Sequence, residues 1–579
     1  MDIAKALSAS LVMLTLIGCG GGSSSVNPTP TPTPVPALSL CGQEGTSCAN
    51  PTTIAVGASE QFVATASSGT LPALNWSVNG VQGGNPTTGI ISATGLFTAP
   101  TSFASGKSVM ITAAAQSNSS TSGSATAIIV DNSLAQTPPV KLGTSGGNAT
   151  DLVNNGKTIT CCSGTLGSLV SQGGSLFVLS NNHVLGKSDT GAVGDNISQP
   201  GLVDSNCSPA KTVATLTQHA ALKPTSIITT GPCAGEPAPC GPAPSNVDAA
   251  IAQITTGQVD PSGSILDLGS LNGASIGAMP PSATLADPNM VLMTNEGVAK
   301  SGRRTGLTCS NLMSISTEVS VQYDGSCGGA TAFTATFANQ VIINGGNFSM
   351  PGDSGSLVVT SDTARPVGLL YGGNSTSTSA NPIQDVLGAF SGGSLSVVGG
   401  PDHTISCSSV ANSASSASPL SFAALSAEER QRVFAVRQKN ARLLMRDPAI
   451  TSVTAGASND SPGEGALVIQ VSGVPRSIIP AVVEGVRTKV MTMQGTGVPQ
   501  MPVLGGQDLD QAIAAKENHV ANLMAQPGIQ GVGVGRSDDN PAEPAIVIYV
   551  LTGVSHPRIP PTLDGVRTRI VEGDRFRAY

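Results

Sequence analysis

From residue 38 to residue 400 the chain is cut into short alternating runs of apolar and polar residues, each ended by Gly, Asn or Pro. The stretch "GTLGSLVSQGGSLFVLSNNHVLG", residues 164 to 186, is representative: a strand, a Gly-Gly turn, a second strand and then a polar corner. A period of two over so much of the chain calls for sheets rather than helices. Aromatic residues make up only 3% and charged residues 11%, with 69 glycines, so the cores must be built from Val, Ile, Leu and Ala. That composition suits many short strands. At 579 residues the chain exceeds what one core supports, and several units are expected.

The organisation is read from shifts in pattern. Residues 1 to 19, "MDIAKALSASLVMLTLIGC", carry an apolar run from Ala6 to Ile17 that is too short to span a membrane permanently. The "LIGC" ending resembles the lipobox of bacterial lipoproteins. That resemblance implies export, lipidation of Cys19 and anchorage at a bacterial cell envelope, on the outer membrane or cell surface. Residues 20 to 37 form a linker whose "VNPTPTPTPVPA" segment is an extended spacer.

Residues 38 to 132 read as a small β-sandwich. Their "NWSVNGVQGGNPTTGIISATGLFTAP" resembles bacterial immunoglobulin-like repeats, which implies that Trp76 is a core residue. A passive spacer and a ligand-binding module are both open roles for this unit. Residues 140 to 400 form a second, larger all-β unit, and residues 401 to 425 a Ser- and Ala-rich linker.

Beyond it the pattern changes. "SAEERQRVFAVRQKNARLLMRDP" and "DLDQAIAAKENHVANLMAQP" are expected helices, opened by Ser426 with Glu429 and by Asp508 with Gln511, and closed before Pro448 and Pro527. Each is followed by strands ending in "GVRT". The repeat distance of about 79 residues marks a duplicated small α+β unit, residues 426 to 500 and 506 to 579, whose copies could pack on each other. His519 and His556 lie there in solvated contexts, and a protein partner or control of the neighbouring unit is the expected role.

Eleven cysteines less Cys19 leave ten, an even number that suits up to five disulfides in an oxidising compartment. Close spacing suggests Cys41 with Cys48, Cys233 with Cys240 and Cys309 with Cys327. Cys161, Cys162, Cys207 and Cys407 allow three pairings. The adjacent Cys161 and Cys162 lack zinc-site spacing, so no metal and no cofactor are expected. A net charge of −8 without a basic cluster argues against a nucleic-acid partner.

The remaining chemistry gathers on "SMPGDSGSLVV", residues 349 to 359. Gly, Asp and Ser are ordinary turn residues, and a serine becomes a nucleophile only beside a base that a carboxylate orients. Of five histidines, His219 and His403 lack a supporting context, whereas His183 stands at the polar corner after the hairpin. Asp248 opens the apolar run "DAAIAQI". His183, Asp248 and Ser354 thus follow one another inside a single all-β unit.

That order, with "NNHV" and "GDSGS", resembles the chymotrypsin-like, trypsin-fold serine proteases over residues 140 to 400. The resemblance implies two β-barrels, peptide or protein substrates, a His183–Asp248–Ser354 triad and an oxyanion hole made by the amides of Gly352 and Ser354. It also implies a substrate-pairing strand at "GLLYGGN", with Phe348, Tyr371 and Gly372 at the primary pocket.

The chain departs from the family pattern in three places. Val184, and not a cysteine, stands directly after His183; Phe348 replaces the acidic residue that selects Arg or Lys; and Asp353 has no evident new N-terminus to pair with. "KSGRRTGLT", residues 300 to 308, offers either a solvated surface or an electrostatic partner for the cleft. The expectation is therefore a multidomain, mainly β serine endopeptidase. Its rival is a catalytically silent surface adhesin, while an α/β-hydrolase esterase lacks the required alternation of helices and strands.

Overall fold

The computed structural model describes residues 37–579 except 45–46, 68–69, 101–106, 224–246, 270, 273–274, 325–326, 328–331, 394, 406, 408–420 and 493–501. Cys19, Cys233, Cys240 and most of the 401–425 linker lie outside the described residues, as does the side chain of Cys48. The chain is mainly β and multidomain, as its alternation demands.

Two sheets face each other in the first unit. Phe62, Trp76, Phe97, Ile111 and Ile129 fill the space between them. Trp76 is buried, and Phe62 meets Phe97 edge to face at 6.1 Å.

The next two units are closed rings of strands. In the first, Thr144–Asn148 pairs with Asn196–Gln199, which pairs with Lys211–His219, then Ala250–Ile254, Ser175–Ser180 and Ser168–Gln172. Beyond Gly167 the last strand continues as Gly164–Leu166, which pairs back with Thr144–Asn148 and closes the ring. The second ring runs Gly297–Gly302, Leu357–Thr360, Pro366–Gly373, Ser377–Pro382, Phe333–Asn344 and Gly306–Tyr323, and returns to Gly297–Gly302. Every pairing is antiparallel, and closure removes most free edges.

Three disulfides join parts distant in sequence: Cys161–Cys207, Cys162–Cys327 and Cys309–Cys407. The expected Cys309–Cys327 pair is thus corrected. The 18-residue strand Gly306–Tyr323 separates the two cysteines, and at about 3.3 Å per residue it carries them on the order of 40 Å apart. Cys407 also fixes the start of the expected linker to the second ring, where Arg365 pairs with Asp402 and His403 Nε2 meets the Leu268 carbonyl. Cys41 is disulfide-bonded.

The duplication is visible in the structure. Ala427–Leu444 and Gly506–Met524 are the helices, each leading into strands with the same order and register. Ser426 caps the first through the Glu429 amide at 3.1 Å. The second helix starts earlier than expected: Gly505 is its N-cap, and Asp508 lies in its first turn, where a carboxylate offsets the helix dipole.

The copies grip each other reciprocally. Arg487 Nη1 donates to the Thr568 carbonyl at 2.7 Å and Arg567 Nη1 to that of Thr488 at 2.8 Å. The Ser458 hydroxyl meets Asp539, and the Ser537 hydroxyl meets Asp460. The second copy is also fused to the second ring: Ile529–Arg536 pairs with Gly306–Tyr323, and Val532, Val534 and Ile546 share a core with Ile315, Val341 and Leu370.

Candidate active site

The hairpin Ser168–Gln172/Ser175–Ser180 ends in a single helical turn, Asn182–Leu185, that carries His183. Asp248 precedes the strand Ala250–Ile254, which pairs with Ser175–Ser180 and so brings the carboxylate beneath the imidazole. His183 Nδ1 lies 2.6 Å from Asp248 Oδ2, and the His183 amide donates to Oδ1 at 3.2 Å. Asp248 is fully buried, and the Tyr323 hydroxyl donates to Oδ2 at 2.7 Å. Its own amide donates to Asn381 Oδ1 of the second ring, and its carbonyl accepts from Asn181.

Burial alone would lower the His183 pKa. The Asp248 carboxylate outweighs it, helped by the Tyr579 carbonyl and Asp151, and the net shift is above the ordinary value. Burial and the same carboxylate raise the Tyr323 phenol far above its usual range, so it stays a donor.

Ser354 sits on the loop before Leu357–Thr360 and is fully buried. A turn from Met350 to Asp353 is closed by the Asp353 amide on the Met350 carbonyl at 2.9 Å, with Gly352 at φ +110°. A side chain at 352 would be strained and would meet Arg303 Nη1 at 2.4 Å. Gly355, at φ +93°, lets the loop lie against the first ring, where a Cβ would strike Ser180 and the Thr165 carbonyl. There the Thr165 amide donates to the Ser354 carbonyl at 2.8 Å. Among the described residues, the amides of Gly352 and Ser354 have no intramolecular acceptor.

Asp353 has an internal cation. Lys300 Nζ lies 3.6 Å from Asp353 Oδ2, both side chains being fully buried. The amides of Arg304 and Thr305 donate to Oδ1 at 2.8 and 3.1 Å, and the Thr305 hydroxyl donates to Oδ2 at 2.7 Å. "KSGRRTGLT" therefore supplies the counter-charge for the serine loop, through its lysine rather than its arginines. Arg303 instead forks onto Asp204, with Nη2 2.7 Å from Oδ1. Burial lowers the Lys300 pKa against the pull of Asp353.

A cleft of about 640 Å³ is lined among others by His183, Arg303, Ser349, Gly352, Gly373 and Tyr579, whereas Ser354 is buried and does not line it. Phe348 and Tyr371, expected at its wall, are turned away from it. Phe348 packs in the core under Lys300, and the Tyr371 ring lies 4.9 Å from that of Phe337. Phe348 sits in a loop and fills the core below it, while in the strand Pro366–Gly373 the Tyr371 side chain faces inward and its carbonyl is left to accept from the Tyr579 amide. Gly372 pairs through its main chain with Ala578, which lines the cleft.

Sequence reasoning missed Tyr323, Lys300 as the partner of Asp353, and the last residues of the second repeat. A tyrosine in a strand reads as core, and nothing local links residues 574–579 to a histidine far upstream. In the structure, the Tyr579 carbonyl lies 3.0 Å from His183 Nε2, and the Tyr579 amide donates to the Tyr371 carbonyl at 3.3 Å. That same carbonyl accepts the Ser354 hydroxyl at 3.2 Å. Serine and histidine are thus bridged by Tyr371 and Tyr579; among the described residues no direct hydrogen bond joins them.

Among the described residues no cluster of three or more His, Cys, Asp or Glu has metal-binding geometry. No described helix is long and apolar enough to cross a membrane. No protein-family model matches the chain, and no curated protein is similar enough to stand as a relative.

Proposed function

We propose that the protein is a serine endopeptidase of the trypsin fold, with His183, Asp248 and Ser354 as its catalytic groups. The observation that carries this reading is the buried His183–Asp248 pair, 2.6 Å apart, facing a serine loop whose two glycines free the Gly352 and Ser354 amides. Ser354 Oγ attacks the peptide carbonyl as His183 Nε2 takes its proton. The proton passes to the leaving amine, and water, deprotonated by the same nitrogen, releases the acyl group. The oxyanion is held by the amides of Gly352 and Ser354, each worth about a hundred- to a thousandfold in rate. Asp248 fixes the imidazole tautomer, and Tyr323 holds Asp248.

The first unit is read as an immunoglobulin-like spacer, and the leader as a lipoprotein signal that places the enzyme at a bacterial envelope surface.

Ser354→Ala is expected to remove about six orders of magnitude of hydrolysis and Asp248→Asn about four. A fluorophosphonate should label the wild type at Ser354 alone. Wild-type turnover of casein by either purified variant sinks the assignment. A second reading, a silent binding protein, draws on the Ser354 hydroxyl donating to Tyr371 rather than to His183. Absence of labelling in a chain whose cleft has been emptied would favour it.

A further inference from the structure

Resting on the endopeptidase reading, we propose that Arg577–Tyr579 is a built-in occupant of the acyl side of the cleft, and that it displays the preferred substrate. That substrate has a tyrosine before the cleaved bond, a small residue before the tyrosine and a basic residue before that.

The segment is bound as a peptide substrate would be. Arg577 and Ala578 pair antiparallel with Gly373 and Gly372, and Arg577 also pairs with Gln322 in parallel. A Cβ on Gly372 would strike the Arg577 carbonyl at 2.3 Å, so the glycine admits a close backbone approach. The Tyr579 amide reaches the Tyr371 carbonyl, and its ring and hydroxyl lie in the cleft that Ser349 also lines. A Cβ on Gly373 would stand 2.4 Å from that hydroxyl. The pocket therefore has the length of a phenol, and the buried acid that acts on its oxygen, Asp353, is already paired with Lys300 and so offers little to a substrate lysine or arginine. Arg577 instead finds Asp324 at 3.0 Å.

Anchors upstream show that the placement is held from both sides. Phe576 is fully buried against Tyr549, Gln530 bonds the Phe576 amide and the Asp574 carbonyl, and Asp574 accepts from the Ser375 amide at 2.8 Å. Occupancy blocks turnover directly, because the Tyr579 carbonyl occupies the His183 nitrogen that Ser354 needs. A tether this short gives an effective concentration in the millimolar range, so a free substrate must compete with it.

The test compares the full chain with two variants, Tyr579→Ala and a deletion of residues 577–579 that keeps the Phe576 anchor. The substrate is the nitroanilide of acetyl-Arg-Ala-Tyr, with Arg and Ala analogues at the last position. Both variants should raise kcat/KM at least about tenfold over the full chain, and the Tyr substrate should outrun both analogues. Equal rates in all three proteins, or a faster Arg analogue, overturn the proposal while leaving a Ser354-dependent endopeptidase intact. A parallel readout does not need turnover: with Ser354→Ala added, the deletion variant should bind the free peptide acetyl-Arg-Ala-Tyr, and the full chain should not. Binding there without hydrolysis in any variant would retain the occupant and sink the endopeptidase reading. Failure of the deletion variant to bind the peptide would overturn the proposal.

Discussion

Lys300 and Asp353 are a pair whose separation should be costly, because each is fully buried and each is the other's nearest opposite charge. Lys300→Met leaves a carboxylate in the interior with only its hydrogen-bond donors for compensation. The expected loss is about 3 kcal/mol or more of stability, with a fall in kcat as the Gly352 amide loses its fixed direction, read from denaturant melts and steady-state kinetics. An unchanged melt would mean that the loop is held by Arg304 and Thr305 alone. The imidazole sets the pH profile. His183 must be neutral to accept a proton, and its pKa is raised, so the acid limb of kcat/KM should lie above the ordinary histidine value of about 6.5. The raised value also means that the folded state favours the protonated ring, a stabilisation present at acid pH and lost as pH climbs through the folded pKa. A limb below 6 would contradict the buried pairing with Asp248. The charged and polar residues were the legible part of this site, since His183, Asp248 and Ser354 stand at polar corners beside apolar strands and follow one another in a single all-β unit. Tyr323 was not, because its ring packs with Phe333 and Phe337 as any core aromatic does and only its hydroxyl is functional.

Between elements, the contacts that sequence could not supply are those that depend on how far a strand carries its ends. Cys309 and Cys327 are close in number and remote in space, whereas Cys162 and Cys327 are 165 residues apart and bonded. Alternation, by contrast, was enough for the hairpin that presents His183, and the duplicated pattern was enough for the two α+β copies. The seam between the copies carries its own pH dependence. Burial, partly offset by Arg569 and reinforced by Asp460 and Asp539, pushes the Asp538 carboxyl up to about 7; burial and Asp460 push Asp539 up to about 6. A raised carboxyl pKa favours the protonated, folded form, so this stabilisation is complete below about pH 4 and lost as pH rises through 6 to 7. The seam should open at lower temperature at pH 8 than at pH 5, measured by hydrogen exchange at 458–461 and 537–540 after correction for intrinsic rates. The reverse order would show that Arg569 and Lys489 keep both carboxylates charged.

At the scale of the whole molecule, the rings, the cleft and the tail form one continuous assembly, because the strand Gly306–Tyr323 belongs at once to the second ring and to the sheet of the second repeat. The sequence shows the boundary near residue 425 as a change of composition, yet the core runs across it, with Leu509 and Ile546 beside Val341 and Leu370. No local pattern reports such sharing, since each side reads as an ordinary apolar strand. A chain cut at residue 420 would leave the stretch Ser314–Val319 without its neighbour and strip apolar cover from the ring beneath it. Such a truncated product should self-associate through that naked border, a behaviour visible in sedimentation as concentration-dependent growth, and a monodisperse monomer would refute it. Anyone producing the two rings on their own for crystals or assays should therefore expect a sticky protein, and would do better to trim three residues than a hundred and fifty.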